Sequence, residues 1–263
     1  DHMARFGHAF GDPIDAVIIT HAHADHYGGL PAVAEAFPIL RYVDSGYAPS
    51  DSGFWTAREA ASEAIDQSKG AYDSPAIPEI AGYLFAEVDL FGGYVDASLL
   101  WAASTPPTGS ASSPSGTDVN NTSVVLSLSW SDRRILLMGD AETYVEEHLV
   151  TAAKNGDIDL ATNVLKVGHH GSATSSTEEF LDFALGNDRP DTWAVISSGR
   201  KSFGTTQLPA LETVERLRSH LDPYRLLSTE NRDGELYEGE EHDDDHILVT
   251  IGPSGEVSAC YVP

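Results

Sequence analysis

Cysteine is almost missing from this chain. Cys260 is the only one among 263 residues, which excludes an intrachain disulfide and a thiolate metal cluster. Lysine is nearly as scarce, confined to Lys69, Lys154, Lys166 and Lys201. With 41 acidic against 15 basic residues and a net charge of −26, the chain has no general basic surface for loose, backbone-driven nucleic-acid binding. A nucleic acid held at a metal site stays open, because bound ions supply the local positive charge. No apolar run reaches the ~18 residues needed to span a bilayer, and no signal peptide is visible at the start. Asp1-His2-Met3 reads as a cloning remnant or a cut end. Also missing are a phosphate-cradling Gly-x-x-x-x-Gly-Lys loop, a dinucleotide Gly-x-Gly-x-x-Gly fingerprint and a Ser-His-Asp nucleophile signature.

What is present is globular: 41% hydrophobic and 9% aromatic residues, enough to bury a substantial core. We expect one domain over residues 1–263. An acidic excess with scarce lysine is expected of a protein kept soluble in concentrated salt, where screening removes self-repulsion. Its melting midpoint should therefore rise in molar salt. A midpoint that does not move would contradict a salt-adapted habitat.

Strands and helices alternate along the chain, an α/β pattern. Strands are expected at 14–20, 39–43, 99–102, 123–130, 134–138, 163–167 and 193–197. Helices are expected at 30–37, 54–68, 141–154, 177–185 and 208–221, the last opened by Pro209. A hairpin with its turn at Phe91-Gly92-Gly93-Tyr94 is expected within 83–101, and a closing hairpin pairs 244–251 with 257–262. Residues 104–118, rich in Pro, Gly and Ser, read as an internal loop. Glu240-Glu241-His242-Asp243-Asp244-Asp245-His246 reads as a solvated acidic turn rather than a metal site.

The chemistry is concentrated where apolar strands end. Ala16 to Ile19 runs into Thr20-His21-Ala22-His23-Ala24-Asp25-His26, three histidines and a carboxylate within six residues. Imidazoles plus a carboxylate oxygen suit zinc or a similar divalent ion, with manganese as the alternative. His21 and His23 can reach one ion, and Asp25 and His26 a second beside it. Asp140, after Ile135-Leu136-Leu137-Met138-Gly139, can bridge two cations or cap the helix that follows. His169-His170, after Val164-Leu165-Lys166-Val167, supplies one further ligand, taken as His169. His170 is then left to act on substrate beside Asp25. Lys166 could meet a substrate phosphate or only snorkel at a strand edge. Ser172 could bind phosphate oxygens or cap the next helix. Two divalent ions in such a site support hydrolysis, most naturally of phosphoesters.

His21-Ala22-His23-Ala24-Asp25-His26 matches the H-x-H-x-D-H signature of metallo-β-lactamase-fold hydrolases. The stretches 119–126, 137–142, 164–176 and 194–199 resemble the hydrolase domain of ComEC-type DNA-internalisation competence proteins, and phosphorylcholine-esterase-like members share much of the pattern. The resemblance covers roughly residues 14–251. It implies an αββα sandwich with a dinuclear metal site, phosphodiester hydrolysis, single-stranded DNA as substrate and an extracytoplasmic location. β-Lactamase or lactonase activity on the same site, and a degraded binding domain, are the alternatives.

Three departures from that pattern stand out. No histidine lies between His26 and His148, so Asn120, Asn121 or water must complete the first ion's shell; the two asparagines are otherwise candidates for substrate contact. The family's Tyr-Gly-His-Pro stretch is Phe203-Gly204-Thr205-Thr206-Gln207-Leu208-Pro209 here. Only 20 residues precede the first motif, so the fold's first strands are expected to be missing, replaced, or supplied by another copy in a homo-oligomer.

Overall fold

A computed structural model describes residues 9–73, 86–88, 93, 95–109, 113–186, 191–199, 207–229 and 246–262. A small parallel sheet holds β1 (Val17–Ile19), β2 (Arg41–Asp44) and β3 (Ala71–Asp73) in that order. A larger sheet holds β4 (Ala86–Val88), β5 (Asp96–Trp101), β6 (Val125–Trp130), β7 (Arg133–Leu137), β8 (Val164–Lys166), β9 (Trp193–Ile196) and β10 (Leu226–Ser228), adjacent in sequence order. Its first four strands are antiparallel, and β7 through β10 are parallel. β11 (His246–Ile251) and β12 (Val257–Val262) form a separate hairpin. Tyr261 ties that hairpin to β10, its hydroxyl accepting from the Ser228 amide at 3.0 Å.

The helices are α1 (Ala24–Tyr27), α2 (Leu30–Ala36), α3 (Ser52–Ser68), α4 (Gly116–Asn120), α5 (Thr143–Asn155), α6 (Glu178–Ala184) and α7 (Leu211–His220). Three apolar clusters show the layering. Val43 of β2, with Ile18 against it, packs on Ala97, Leu99 and Leu126 of the larger sheet, so the two sheets face each other. Tyr27, Leu30, Phe54, Ala57 and Ala61 from α1 to α3 cover the outer face of the small sheet. Val145, Leu149, Phe180, Leu181 and Leu217 from α5 to α7 cover the outer face of the large one. Helices outside and two sheets inside make the αββα sandwich.

Most expected elements form within a few residues of their expected bounds. Four were not legible: α1, β3, β10 and α4. The first three are only three or four residues long, too short to show a period. α4 rises inside the Pro-, Gly- and Ser-rich run because Ser115 and Asp118 close a capping box: the Ser115 hydroxyl accepts from the Asp118 amide, and the Asp118 carboxylate accepts from the Ser115 amide at 2.7 Å. The Pro209 expectation also shifts, since Ala210 is the residue that caps α7. Apart from Gly93, the turn expected at Phe91–Tyr94 lies outside the described residues, as do the acidic run 240–245 and Phe203–Thr206. No helix among the described residues is long and apolar enough to cross a membrane.

Candidate metal centre

The carboxyl ends of β1, β7, β8 and β9 meet at one place. Beyond β1, His23 caps α1, so Asp25 and His26 leave on the helix while His21 and His23 stay on the extended turn. Beyond β7, Gly139 adopts φ +56 and turns the chain so tightly that a Cβ there would sit 3.0 Å from Ser123 and Thr20. Asp140 follows with 3% of its surface exposed, its amide donating to Ser123 Oγ at 3.0 Å. Glu142, not Asp140, occupies the N-cap position of α5, which removes helix capping as the reason for Asp140. Beyond β8, a single 3-10 turn carries His169 and His170, both in the left-handed region at φ 45 and 52. Non-glycine residues held there are strained by about 1–3 kcal/mol each, a strain that clusters at functional sites.

The ring of donor atoms has the spacing of a coordination shell. Nε2 of His26 and Nε2 of His170 are 3.2 Å apart. Asp140 Oδ2 lies 3.3 Å from the first and 3.4 Å from the second. Asp25 Oδ2 lies 3.5 Å from His170 Nε2 and 3.8 Å from His26 Nε2. Donors on a tetrahedral ion with bonds of ~2.0–2.1 Å are about 3.3–3.4 Å apart by simple geometry. Next to this set, His21 Nε2 is 3.0 Å from His23 Nδ1 and 3.7 Å from Asp140 Oδ2. Asp140 Oδ2 thus stands between the two sets, 3.3–3.4 Å from His26 and His170 and 3.7 Å from His21, while Oδ1 is buried with no hydrogen-bond partner. A carboxylate so placed can bridge two ions.

Neighbouring groups orient these rings from behind. His170 Nδ1 donates to the Ser197 carbonyl at 2.6 Å, and since a carbonyl only accepts, the proton sits on Nδ1 and Nε2 turns inward. Thr20 Oγ1 contacts Nδ1 of His21 at 3.1 Å and Nδ1 of His26 at 3.2 Å. Burial pushes His21 down to about 3, keeping it a neutral ligand. Burial also works against charge on His170, but Asp140 and Asp25 outweigh it and push His170 up to about 10. The bond to His170 in turn holds Asp25 down to about 2. Burial opposes ionisation of Asp140, yet hydrogen bonds from His170 and His26 hold it well below the usual carboxylate range. Two ionised carboxylates among imidazoles make a donor set that fits a divalent cation.

Several sequence expectations change here. His170, rather than His169, stands in the donor set, because the left-handed turn swings its ring toward Ser197 and the Asp25–His26 pair. His169 faces the open cleft, with Nδ1 3.4 Å from Glu142 Oε1 and 3.2 Å from Thr174 Oγ1. Lys166 does not line the cleft among the described residues. Its ammonium turns onto the Val167 carbonyl at 2.9 Å, and burial lowers its pKa. Asn121 is structural: it is 1% exposed, its Oδ1 accepts from the Glu142 amide, and its carbonyl accepts from Trp101 Nε1. Asn120 and Ser172 do line the cleft, which has a volume of ≈ 890 Å³. Glu142 was missed. It is 5% exposed at the cleft floor, and its only sequence signal was a carboxylate two residues after Asp140.

One lip of the cleft, Ser172 to Thr174, is clamped from below. Glu146, fully buried, accepts from the Ser176 amide at 2.5 Å and from the Thr177 amide and hydroxyl at 2.8 and 2.7 Å. Arg216 donates to the Ser175 carbonyl at 2.9 Å. Gly171, at φ +78, passes so close to Pro209 that a Cβ would sit 2.7 Å from it. Burial pushes Glu146 up to about 6 from an ordinary 4.5. A folded pKa above the unfolded one gives a contribution that is greatest at low pH and is lost as pH rises through about 6. Glu146→Ala strands three donors and should cost about 2–4 kcal/mol in urea denaturation. It should also flatten the stability slope between pH 4.5 and 6; an unchanged midpoint and slope would contradict the clamp.

Comparison with known proteins agrees with this geometry. Residues 7–189 match the family model described as Metallo-beta-lactamase superfamily, more than half of the chain. The chain is 27% identical over 192 residues to ComE operon protein 3 of Bacillus subtilis (strain 168), covering 72% of this chain and 20% of that protein. It is 39% identical over 101 residues to Recombination protein 2 of Haemophilus influenzae, covering 38% of this chain and 11% of that one. The chain therefore spans about a fifth or less of these relatives' length. The donor ring at the strand ends, the two facing sheets and the family match agree, and the chain belongs to the metallo-beta-lactamase superfamily.

Proposed function

We propose that this chain is a metal-dependent phosphodiesterase or nuclease whose substrate is single-stranded DNA or a similar phosphodiester. The observation that carries the reading is the donor spacing around Asp140. His26, His170, Asp25 and Asp140 would hold one divalent ion, with His21 and His23 beginning the shell of another, zinc or manganese in either case. When bound, such ions supply Lewis acidity and a water of lowered pKa.

The chain's own residues do the rest. Asp25, ionised and half exposed, can accept a hydrogen bond from a water or substrate hydroxyl at the mouth of the cleft. The ring of His169, oriented by Glu142 and Thr174, reaches the cleft where a leaving oxygen would emerge. Hydroxyls of Ser172 and Thr174, 3.1 Å apart, offer donors to non-bridging phosphate oxygens. No lysine or arginine lines the cleft among the described residues. A polyanion is therefore held only when cations are present, which fits a chain of net charge −26. The name of Recombination protein 2 supports a DNA setting.

The test is hydrolysis of bis-p-nitrophenyl phosphate, single-stranded DNA and nitrocefin by manganese- or zinc-loaded protein in high salt. Turnover of the two phosphodiesters is expected. Turnover of nitrocefin alone would move the reading to a β-lactamase, and turnover of none with ions bound would leave a binding domain.

A further inference from the structure

Asn120 carries an anomaly that the proposed chemistry does not use. Its side chain is buried, 4% exposed, at the end of α4. Both hydrogens of its amide nitrogen are engaged: Nδ2 donates to Glu142 Oε1 at 2.7 Å and faces His169 Nε2 at 3.3 Å. Exchanging oxygen and nitrogen would set an acceptor against the Glu142 carboxylate, so the amide orientation is fixed. Its Oδ1 is then left buried with no hydrogen-bond partner. A stranded buried carbonyl costs about 1–3 kcal/mol, so a site that keeps one has a use for it.

The surroundings say what the use is. Asn120, His23 and Asp140 line the same cleft, and Asp140 Oδ1 is the other orphaned acceptor there. The Asn120 side chain also lies against the His23 ring. His21 Nε2 and His23 Nδ1 face each other at 3.0 Å. Two imidazole nitrogens that share a proton between them thus stand beside Asp140 and Asn120, each of which has a buried oxygen without a hydrogen-bond partner. A cation satisfies all four.

We propose that Asn120 is a protein ligand of the first ion through its amide oxygen, oriented by Glu142, so that this position has a neutral oxygen where the neighbouring position has the Asp25 carboxylate. The inference rests on the metal-centre reading above. A neutral amide contributes less attraction than a carboxylate, so the first ion is the weaker and more exchangeable of the two. Carbonyl oxygen also suits manganese better than it suits zinc.

Titration calorimetry and electron paramagnetic resonance with manganese(II) alone, on the full chain, test this. The wild type is expected to bind two ions in two steps and to show an exchange-coupled spectrum. Asn120→Ala should still bind one ion at full affinity, which also reports an intact fold. It should bind the second at least about tenfold more weakly, with an isolated-ion spectrum at the same loading. Asn120→His should restore two-ion binding with zinc preferred over manganese. Two unchanged binding steps in Asn120→Ala would overturn the assignment of Asn120 alone. A wild type that binds no ion would overturn the metal centre with it.

Discussion

Asp140→Ala is expected to lower kcat/KM for a phosphodiester by about 10³-fold or more, equivalent to about 4 kcal/mol of transition-state stabilisation. It should also reduce bound metal from two ions to one or none. The size follows from position. Among the described residues, Asp140 is the one carboxylate with an oxygen in the His26–His170 donor set and a second, buried oxygen without a hydrogen-bond partner. No other described residue can replace it at that strand end. Because Asp140 lies outside the N-cap position of α5, the helix should survive the change, and circular dichroism of the variant should match the wild type. Asp140→Asn keeps the shape and loses the charge, so it should follow the alanine variant in metal content. Full activity in either would show that Asp140 serves packing only.

His170→Ala and His169→Ala should behave oppositely despite being neighbours. The first removes a ring that stands 3.2–3.5 Å from three other donor atoms, so it should lose an ion and about 10³-fold in rate. The second removes a ring that faces the cleft beside Glu142, so it should keep both ions and lose up to about 10²-fold. The two carboxylates push His170 up to about 10, so an ion binding there displaces a proton. Metal affinity should therefore fall as pH is lowered, and the fall should be shallower in His170→Ala. If His169→Ala were the variant that lost metal, the arrangement of this turn would be wrong.

The first motif was legible because its donors need no tertiary information: a short turn and one helical turn bring four candidates together by themselves. Asp140 was legible as chemistry but ambiguous as a cap, and only the position of the α5 cap separated the two. The choice between His169 and His170 depends on a carbonyl 27 residues later, at Ser197, and on a left-handed turn that neither histidine announces. Glu142 stayed hidden for a related reason: its partners Asn120 and His169 lie 22 and 27 residues away in opposite directions. Lys166 illustrates the converse. A basic residue three positions before a site histidine suggested phosphate contact, but its pocket supplies a backbone carbonyl and low polarity instead. The strand–helix alternation pointed to an α/β fold, and the family resemblance implied the sandwich. Its shortest elements stayed hidden, because α1, β3, β10 and α4 are too short to carry a period.

The account stands on a centre that takes up ions and needs them. The most direct measurement strips the protein with a chelator, then adds manganese(II) or zinc(II) stepwise while following both bound metal and hydrolysis of single-stranded DNA. No cleavage and no DNA retention are expected before addition, because the described cleft has no cationic side chain of its own besides its histidines. Cleavage should appear as occupancy approaches two ions per chain. Cleavage by the stripped protein, or full occupancy without hydrolysis of any phosphodiester, would contradict it.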